Sequence, residues 1–333
     1  MSFFDEVYSD ASRFKMTMSY MPKLNNQIVI EKAKQLGFDL VGFAKADLLE
    51  DETEKLKQWL NRGYHASMNY MEKNLHKRKG VKEILPNAKS VISLALNYYI
   101  PEKYSNKKNI SRSCPPVGKV SRYAWGKDYH LVIWQKLDEL ETELKKFEPE
   151  LETISYVDTG PVMDKVWAVH AGIGWMGKHT NVINPNYGSW FFIATIITNH
   201  EFDYSEIILD HCGTCTACID ACPTNAIVQE YVVDANKCIS YQTIENKEEI
   251  PIELKGKFEN WIFGCDICQD VCPWNQKFSQ QIWIQDFHPL NKELYYDEII
   301  SLDENVFKER FAESPIKRTK LKGLQRNARF LFE

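Results

Sequence analysis

Apolar and polar positions alternate along this chain in two rhythms, and the rhythm switches repeatedly before residue 205. Helical spacing is clearest over residues 128–147. There Ile133, Leu137, Leu140, Leu144 and Phe147 fall three or four apart and form one stripe. Residues 26–36, 56–71 and 162–171 are also expected to be helices. The last has Pro161 near its first turn and Gly172 at its end. Strand-sized apolar runs lie between them: DLVGFAKA at 39–46, SVISLALNYY at 90–99 after the turn Pro86-Asn87, and ISYVD at 154–158. NVIN and GSWFFIATIIT are expected to be two more strands, joined by a turn at 185–188. The class is α+β. Residues 1–205 read as one large domain, 206–280 as a second, and 281–333 as a short, basic, helical tail.

Cysteine spacing changes the picture most. Eight of nine cysteines lie between 212 and 272, in the runs CGTCTACIDACP and CDICQDVCP. Two-residue gaps followed by a Cys-Pro closure are the bacterial ferredoxin spacing for 4Fe–4S clusters. Eight thiolates make two cubanes. Cys238 supplies the ligand that the second run lacks, and in two-cluster ferredoxins the fourth cysteine of each run crosses over. One cluster is therefore expected on Cys212, Cys215, Cys218 and Cys272, the other on Cys222, Cys238, Cys265 and Cys268. Disulfides do not suit so dense a run, and structural zinc favours separated CxxC pairs. Cys114 has no partner in this pattern and reads as a free loop thiol.

Bulk properties add limits. The longest apolar run, WFFIATII, is strand-sized, and no secretory or twin-arginine start is apparent. A soluble, cytoplasmic monomer is expected. Net charge is −5, yet residues 308–330 carry eight Lys or Arg, and Lys77, Arg78 and Lys79 stand in a row. Either patch alone reads as a solvated face. GIGWMG at 172–177 matches GxGxxG formally, but it follows a helix and runs into a strand pattern. That is the wrong context for a dinucleotide. A bare electron carrier needs no 200-residue domain before its clusters, so the clusters are expected to feed a cofactor or substrate held there.

The segment SYVDTGPVMDKVWAVHAGIGWMGKHTNVINPNYGSWFFIATIITN, with SRYAWGKDYH at 121–130, KRKGVKEILPNAKSV at 77–91 and the two cluster runs, resembles the epoxyqueuosine reductase family. A weaker echo is QRNA at 325–328. The resemblance covers roughly residues 25–280. It implies a nitroreductase-like cobalamin-binding domain followed by a ferredoxin-like domain with two 4Fe–4S clusters. It implies reduction of epoxyqueuosine to queuosine at the wobble position of a tRNA anticodon. A low-potential donor such as flavodoxin or ferredoxin would supply the electrons. The VDTG aspartate, Asp158, would be the proton donor. Arg78, Ser121, Val182, Ile193, Ser240, Cys265 and Asp266 fall on cobalamin-contacting positions. Many family members continue into helical repeats, which this sequence does not show, so the basic tail is the expected remnant of the tRNA grip.

Chemistry asks for similar parts. Opening an epoxide and expelling water need an acid, and a carboxyl serves if burial keeps it protonated. Asp158 alone would otherwise read as a turn residue. His170 reads as a packed or surface histidine, Lys178 and His179 as candidates for a cofactor loop, and His211 as a cluster neighbour or a solvent-facing side chain. Trp167, Trp175 and Trp190 read as core or cofactor-packing aromatics. Two other functions fit the cysteines: a cobalamin-dependent reductive dehalogenase, and an electron-transfer protein that uses 206–280 alone.

Overall fold

A computed structural model of the chain describes residues 22–105, 116–282 and 284–333. Cys114 lies outside the described residues. The central element is an antiparallel four-stranded sheet. Its strands run in the order Leu40–Lys45, Ser90–Asn97, Phe191–Thr198, Thr153–Tyr156. Every residue of Ser90–Asn97 is buried, because both faces of the sheet are covered. Ile92, Leu94 and Leu96 pack under the helices Asn26–Gln35 and Tyr129–Lys145, while Val91 and Ala95 pack under Asp164–His170. The last helix sits so close that a Cβ on Gly42 would lie 1.9 Å from the Ala171 carbonyl oxygen. Only glycine fits there.

The expected helix at 56–71 is displaced. The helix is Glu50–Asn61; three acidic residues occupy its first turn, and Gly63, at φ +69°, lies just beyond its end. A short helix, Leu75–Lys79, follows and buries Arg78, so the basic run is not one solvated face. GIGWMG leaves a helix through Gly172 (φ +70°) and enters the hairpin Trp175–Met176/Val182–Ile183. The strand carrying NVIN thus pairs backwards with Trp175–Met176 and not with Phe191–Thr198.

The three expected segments do not pack as three bodies. A second sheet centres on Val117–Val120, flanked by Trp261–Phe263 in parallel and Glu293–Tyr295 in antiparallel. One strand comes from each segment. They share a core in which Val120 and Trp125 meet Phe263, Leu294, Phe311 and Leu324. The tail is an integral wall. Its last helix, Lys320–Phe332, is locked by two buried polar residues of the QRNA run. Arg326 donates to the carbonyls of Asn246 (2.8 Å) and Gln242 (2.8 Å) and, at the closest approach, Glu248. Asn327 donates to the carbonyls of Thr243 (2.8 Å) and Ile262 (2.9 Å). Arg326 therefore belongs to the interior and not to a basic surface.

Arg326→Met should leave those carbonyls unpaired at a cost of about 3 kcal/mol, lowering the melting temperature and opening the last helix to trypsin. A thermal melt and a timed digest check this; an unchanged melt would mean that the carbonyls find other partners.

Candidate functional site

Each cysteine run folds around a four-residue helix, Ala217–Asp220 in the first and Ile267–Asp270 in the second. Cys218 and Cys268 sit on these helices, and Cys238 and Cys272 precede the helices Ile239–Ile244 and Pro273–Phe278. Pro273 occupies the first turn, where no intrahelical amide is needed. Cys212, Cys215, Cys218 and Cys272 line one cavity of about 390 Å³. Burial pushes the Cys218 thiol up to about 11, and the neighbouring charges of Cys272, Cys212 and Cys215 add to it. The other four form a second group. Burial raises Cys265, with Cys268 and Cys238 beside it, and raises Cys268, with Cys238, Cys218 and Cys222 beside it. The crossing pattern is one grouping that these neighbours allow, with Cys218 of the first group also beside Cys268 of the second. Thiolates so buried and so close to one another need compensating cationic metal. Among the described residues no three or more His, Cys, Asp or Glu side chains close on a single ion. A cubane instead spreads its thiolates over separate irons.

Exposure does not divide the two groups: in the first Cys215 is exposed while Cys218 and Cys272 are buried, and in the second all four are half-buried. His211 is exposed and packs edge-on to Trp175 at 5.1 Å, so it is both a solvent-facing side chain and a neighbour of the first group. Lys178 is buried and donates to Glu230 and to the Gly213 carbonyl, each at 2.7 Å. It ties its loop to the first cysteine run. His179 lines the cavity of the first group, and burial, with Lys165 nearby, holds its imidazole down at about 4. It is neutral at pH 7. His170 pairs with Glu52 at 2.9 Å on the helix surface, and Trp167, Trp175 and Trp190 are core residues.

Asp158 follows the edge strand Thr153–Tyr156 in a tight loop, with φ +58°. Its side chain is exposed, and the Tyr129 hydroxyl donates to Oδ2 at 2.9 Å. Tyr129 is itself fixed, stacked on Phe192 with ring centroids 4.3 Å apart. The burial that an acid requires is therefore not provided by the protein alone. A second carboxyl, Asp164, lies on the first turn of the next helix and accepts from the Thr195 hydroxyl at 2.7 Å. Burial raises it to about 7; the charge of Asp158 adds, while Thr195 and Arg78 oppose. Sequence reasoning passed over Asp164, because an acid in a first turn is ordinary helix chemistry.

Lys165 shows where the cleft lies. It is accessible to solvent, yet protein surrounds it at longer range, and desolvation lowers its pKa. Its ammonium donates to Asn181 Oδ1 at 2.8 Å and to the Thr180 carbonyl at 3.0 Å. Asp158 on the acid loop and Cys268 and Cys238 of the cysteine runs are all near enough for their charges to act on it, so Lys165 marks the candidate cleft. Arg78 is buried, and its guanidinium donates to the carbonyls of Val162 (3.2 Å) and Tyr70 (3.4 Å). Its Nε has no partner, an unmet donor in a dry setting. Val182 and Ile193 pack in one apolar cluster with Val162. Ile193 shares a strand face with Thr195. Ser240 and Cys265 are half-buried on the cluster side. Ser121 and Asp266 behave differently. They bond to each other, and Asp266 also accepts from the Arg122 amide (2.9 Å), the Arg122 guanidinium (3.1 Å) and the Tyr104 hydroxyl (3.3 Å). Their polar atoms are spent on joining two segments and not on facing the cleft.

Residues 211–275 match a model described as a 4Fe–4S double cluster binding domain, and residues 78–159 match epoxyqueuosine reductase QueG. A relative from Leadbetterella byssophila, named epoxyqueuosine reductase, is 48% identical over 90% of this chain and 96% of its own. One from Cellulophaga algicola is 45% identical over 92% and 98%. A crystal structure of epoxyqueuosine reductase with a tRNA-Tyr epoxyqueuosine-modified stem loop superposes at TM-score 0.84 and 35% identity, covering 91% of this chain and 80% of that one. A Bacillus subtilis epoxyqueuosine reductase, with its catalytic aspartate loop swung out of the active site, gives TM-score 0.84 at 34% identity over 91% and 80%. With nearly half its residues shared with relatives it matches over almost their full length, the chain belongs to the epoxyqueuosine reductase family.

Proposed function

We propose that this chain reduces epoxyqueuosine in tRNA to queuosine. The cofactors would be cobalamin and two 4Fe–4S clusters, held by the two cysteine groups described above. The observation that carries this is Lys165, whose surroundings bring Asp158 of the acid loop together with Cys268 and Cys238 of the cysteine runs. We read the sandwiched sheet as nitroreductase-like and the cysteine runs as a ferredoxin-like fold. Cobalamin, when bound, supplies a low-potential nucleophilic centre for the epoxide. The unpaired Arg78 Nε fits a polar edge of such a cofactor, and Val182 and Ile193 offer apolar backing. Ser240 and Cys265 would form the opposite wall. Asp266 would act one step back, by setting where Cys265 stands.

Asp158 would donate the proton to the leaving oxygen, held by Tyr129. Because Asp158 is exposed, the bound anticodon loop would itself have to cover the carboxyl and exclude water from it. The Bacillus subtilis relative has an aspartate loop that leaves its active site; the loop of Asp158 would be its counterpart here. Electrons would enter at the exposed Cys215 edge from a low-potential protein such as flavodoxin or ferredoxin. Among the described residues no helix is long and apolar enough to cross a membrane, and a tRNA substrate places the work in the cytoplasm.

Three outcomes are expected. Asp158→Asn should keep the cobalamin absorption spectrum and stem-loop binding while turnover falls by about 10²-fold or more; wild-type turnover would remove the proton-donor role. Cys238→Ala should lower iron from roughly eight atoms per chain towards four, with the other cluster's spectrum kept. Equal loss from both clusters would contradict the assignment. Asp164 has a folded pKa near 7 against an ordinary value of 3.8, so between those limits the folded state binds more protons than the unfolded. Stability should fall as pH rises through that window. Asp164→Asn should therefore match wild type near pH 4 and exceed it by roughly 1–3 kcal/mol at about pH 8. Urea melts across pH check this, and a constant difference would refute the shift.

A further inference from the structure

The turn Pro315–Thr319 is pinned on both sides. Lys317 reaches Asp128 at 2.9 Å, and Asp128 caps the helix that begins with Tyr129. Arg318 pairs through Nε with Glu245, at the end of the helix that carries Ser240. The Lys247 ammonium donates to the Arg318 carbonyl at 3.3 Å and to that of Ile244 at 2.9 Å. A segment that looked like a basic tail therefore bridges the two walls of the site.

Arg318 is half exposed and faces inward electrostatically. Its charge is felt at Tyr70 and Tyr123, and it feels Asp158 in turn. Glu245 takes the Nε edge and the Tyr70 hydroxyl lies within reach of the same side chain, which leaves part of the fork for a further acceptor. Other cations crowd the same spot. Lys247 and Lys320 are exposed beside it. Burial lowers the Lys247 pKa, and the like charges of Arg318, Arg326 and Lys320 lower it further. Cations that raise one another's energy at the edge of a cleft have an unmet need for an anion. A planar fork is the shape that meets phosphate with two parallel bonds.

We propose that Arg318, with Lys320 and Lys247 beside it, grips the backbone phosphate next to the modified nucleotide and so sets that nucleotide under Asp158. This rests on the tRNA reading above and deepens it. The contact is to phosphate and carries no base information; it fixes register, while the cleft reads the modified base. Pinning by Asp128 and Glu245 means that the grip and the acid loop are held by the same helix start and cannot drift apart.

The test uses the cobalamin-loaded protein and a synthetic anticodon stem-loop, with binding followed by fluorescence anisotropy across salt. Arg318→Gln and, separately, Lys320→Gln should each reduce the slope of log affinity against log salt by about 0.7 to 0.9. A neutral methylphosphonate at the phosphate beside the modified nucleotide should weaken wild-type binding several-fold and leave Arg318→Gln unaffected. Lys320→Gln touches no ion pair of the fold, so it keeps the test open if Arg318→Gln misfolds. Melting curves and the bound-cobalamin spectrum serve as folding controls. Unchanged salt slopes in both variants, or equal sensitivity of Arg318→Gln and wild type to the methylphosphonate, would overturn the proposal. If the wild type binds with the expected slope yet converts no epoxyqueuosine, the grip stands and the reaction reading falls.

Discussion

A single buried carboxylate sets the geometry on which the rest depends. Asp266 is 1% exposed and accepts from Ser121, the Arg122 amide and guanidinium, and Tyr104. Its neighbour in sequence is a cluster cysteine; its partners belong to the segment that runs on into Tyr129 and the acid loop. A buried ion pair is a weak source of stability, because desolvation offsets most of the attraction. It is a strong source of position, because the carboxylate's two oxygens gather four donors from Tyr104, Ser121 and Arg122. Arg122 is fixed from the other side by the face of Trp190, 4.9 Å from its guanidinium. The distance from the second cysteine group to the sheet is therefore set by hydrogen-bond lengths and not by the softer packing of apolar side chains.

Around this joint the protein divides its electrostatic tasks by depth. The first cysteine group meets solvent at Cys215, while Cys218 and Cys272 of the same group are buried. The site gathers groups that desolvation disfavours: an Arg78 Nε without a partner, a carboxyl at Asp164 raised to about 7, and an ammonium at Lys165 whose pKa burial lowers. Such groups cost stability in the empty protein, which is the usual mark of a binding site.

The parts that were legible in the sequence were those specified locally. Cysteine spacing prescribes cluster geometry through covalent reach. The stripe from Ile133 to Phe147 and the run at 90–99 follow from single periods. Asp158 became readable only through its neighbours in the VDTG run. Long-range pairing was not legible. Nothing near Glu293 announces that it will join Val117–Val120, because a three-residue strand has too short a period to stand out. Ser121 and Asp266 matched the family's cofactor positions, yet their polar atoms satisfy each other across 145 residues. Residues 56–71 ran past Gly63 because apolar spacing outvoted a glycine that ends the helix. Arg318 sat in a charge run whose default reading was solvent; only the fold shows that the run is pinned to Asp128 and Glu245.

The shared sheet also has a history in time. Its middle strand, Val117–Val120, can close only when Trp261–Phe263 and then Glu293–Tyr295 have been made. At ribosomal speeds it waits roughly ten to thirty seconds with its flanks open. The eight cysteines between 212 and 272 all emerge during that interval, before the last strand and helix that complete this core.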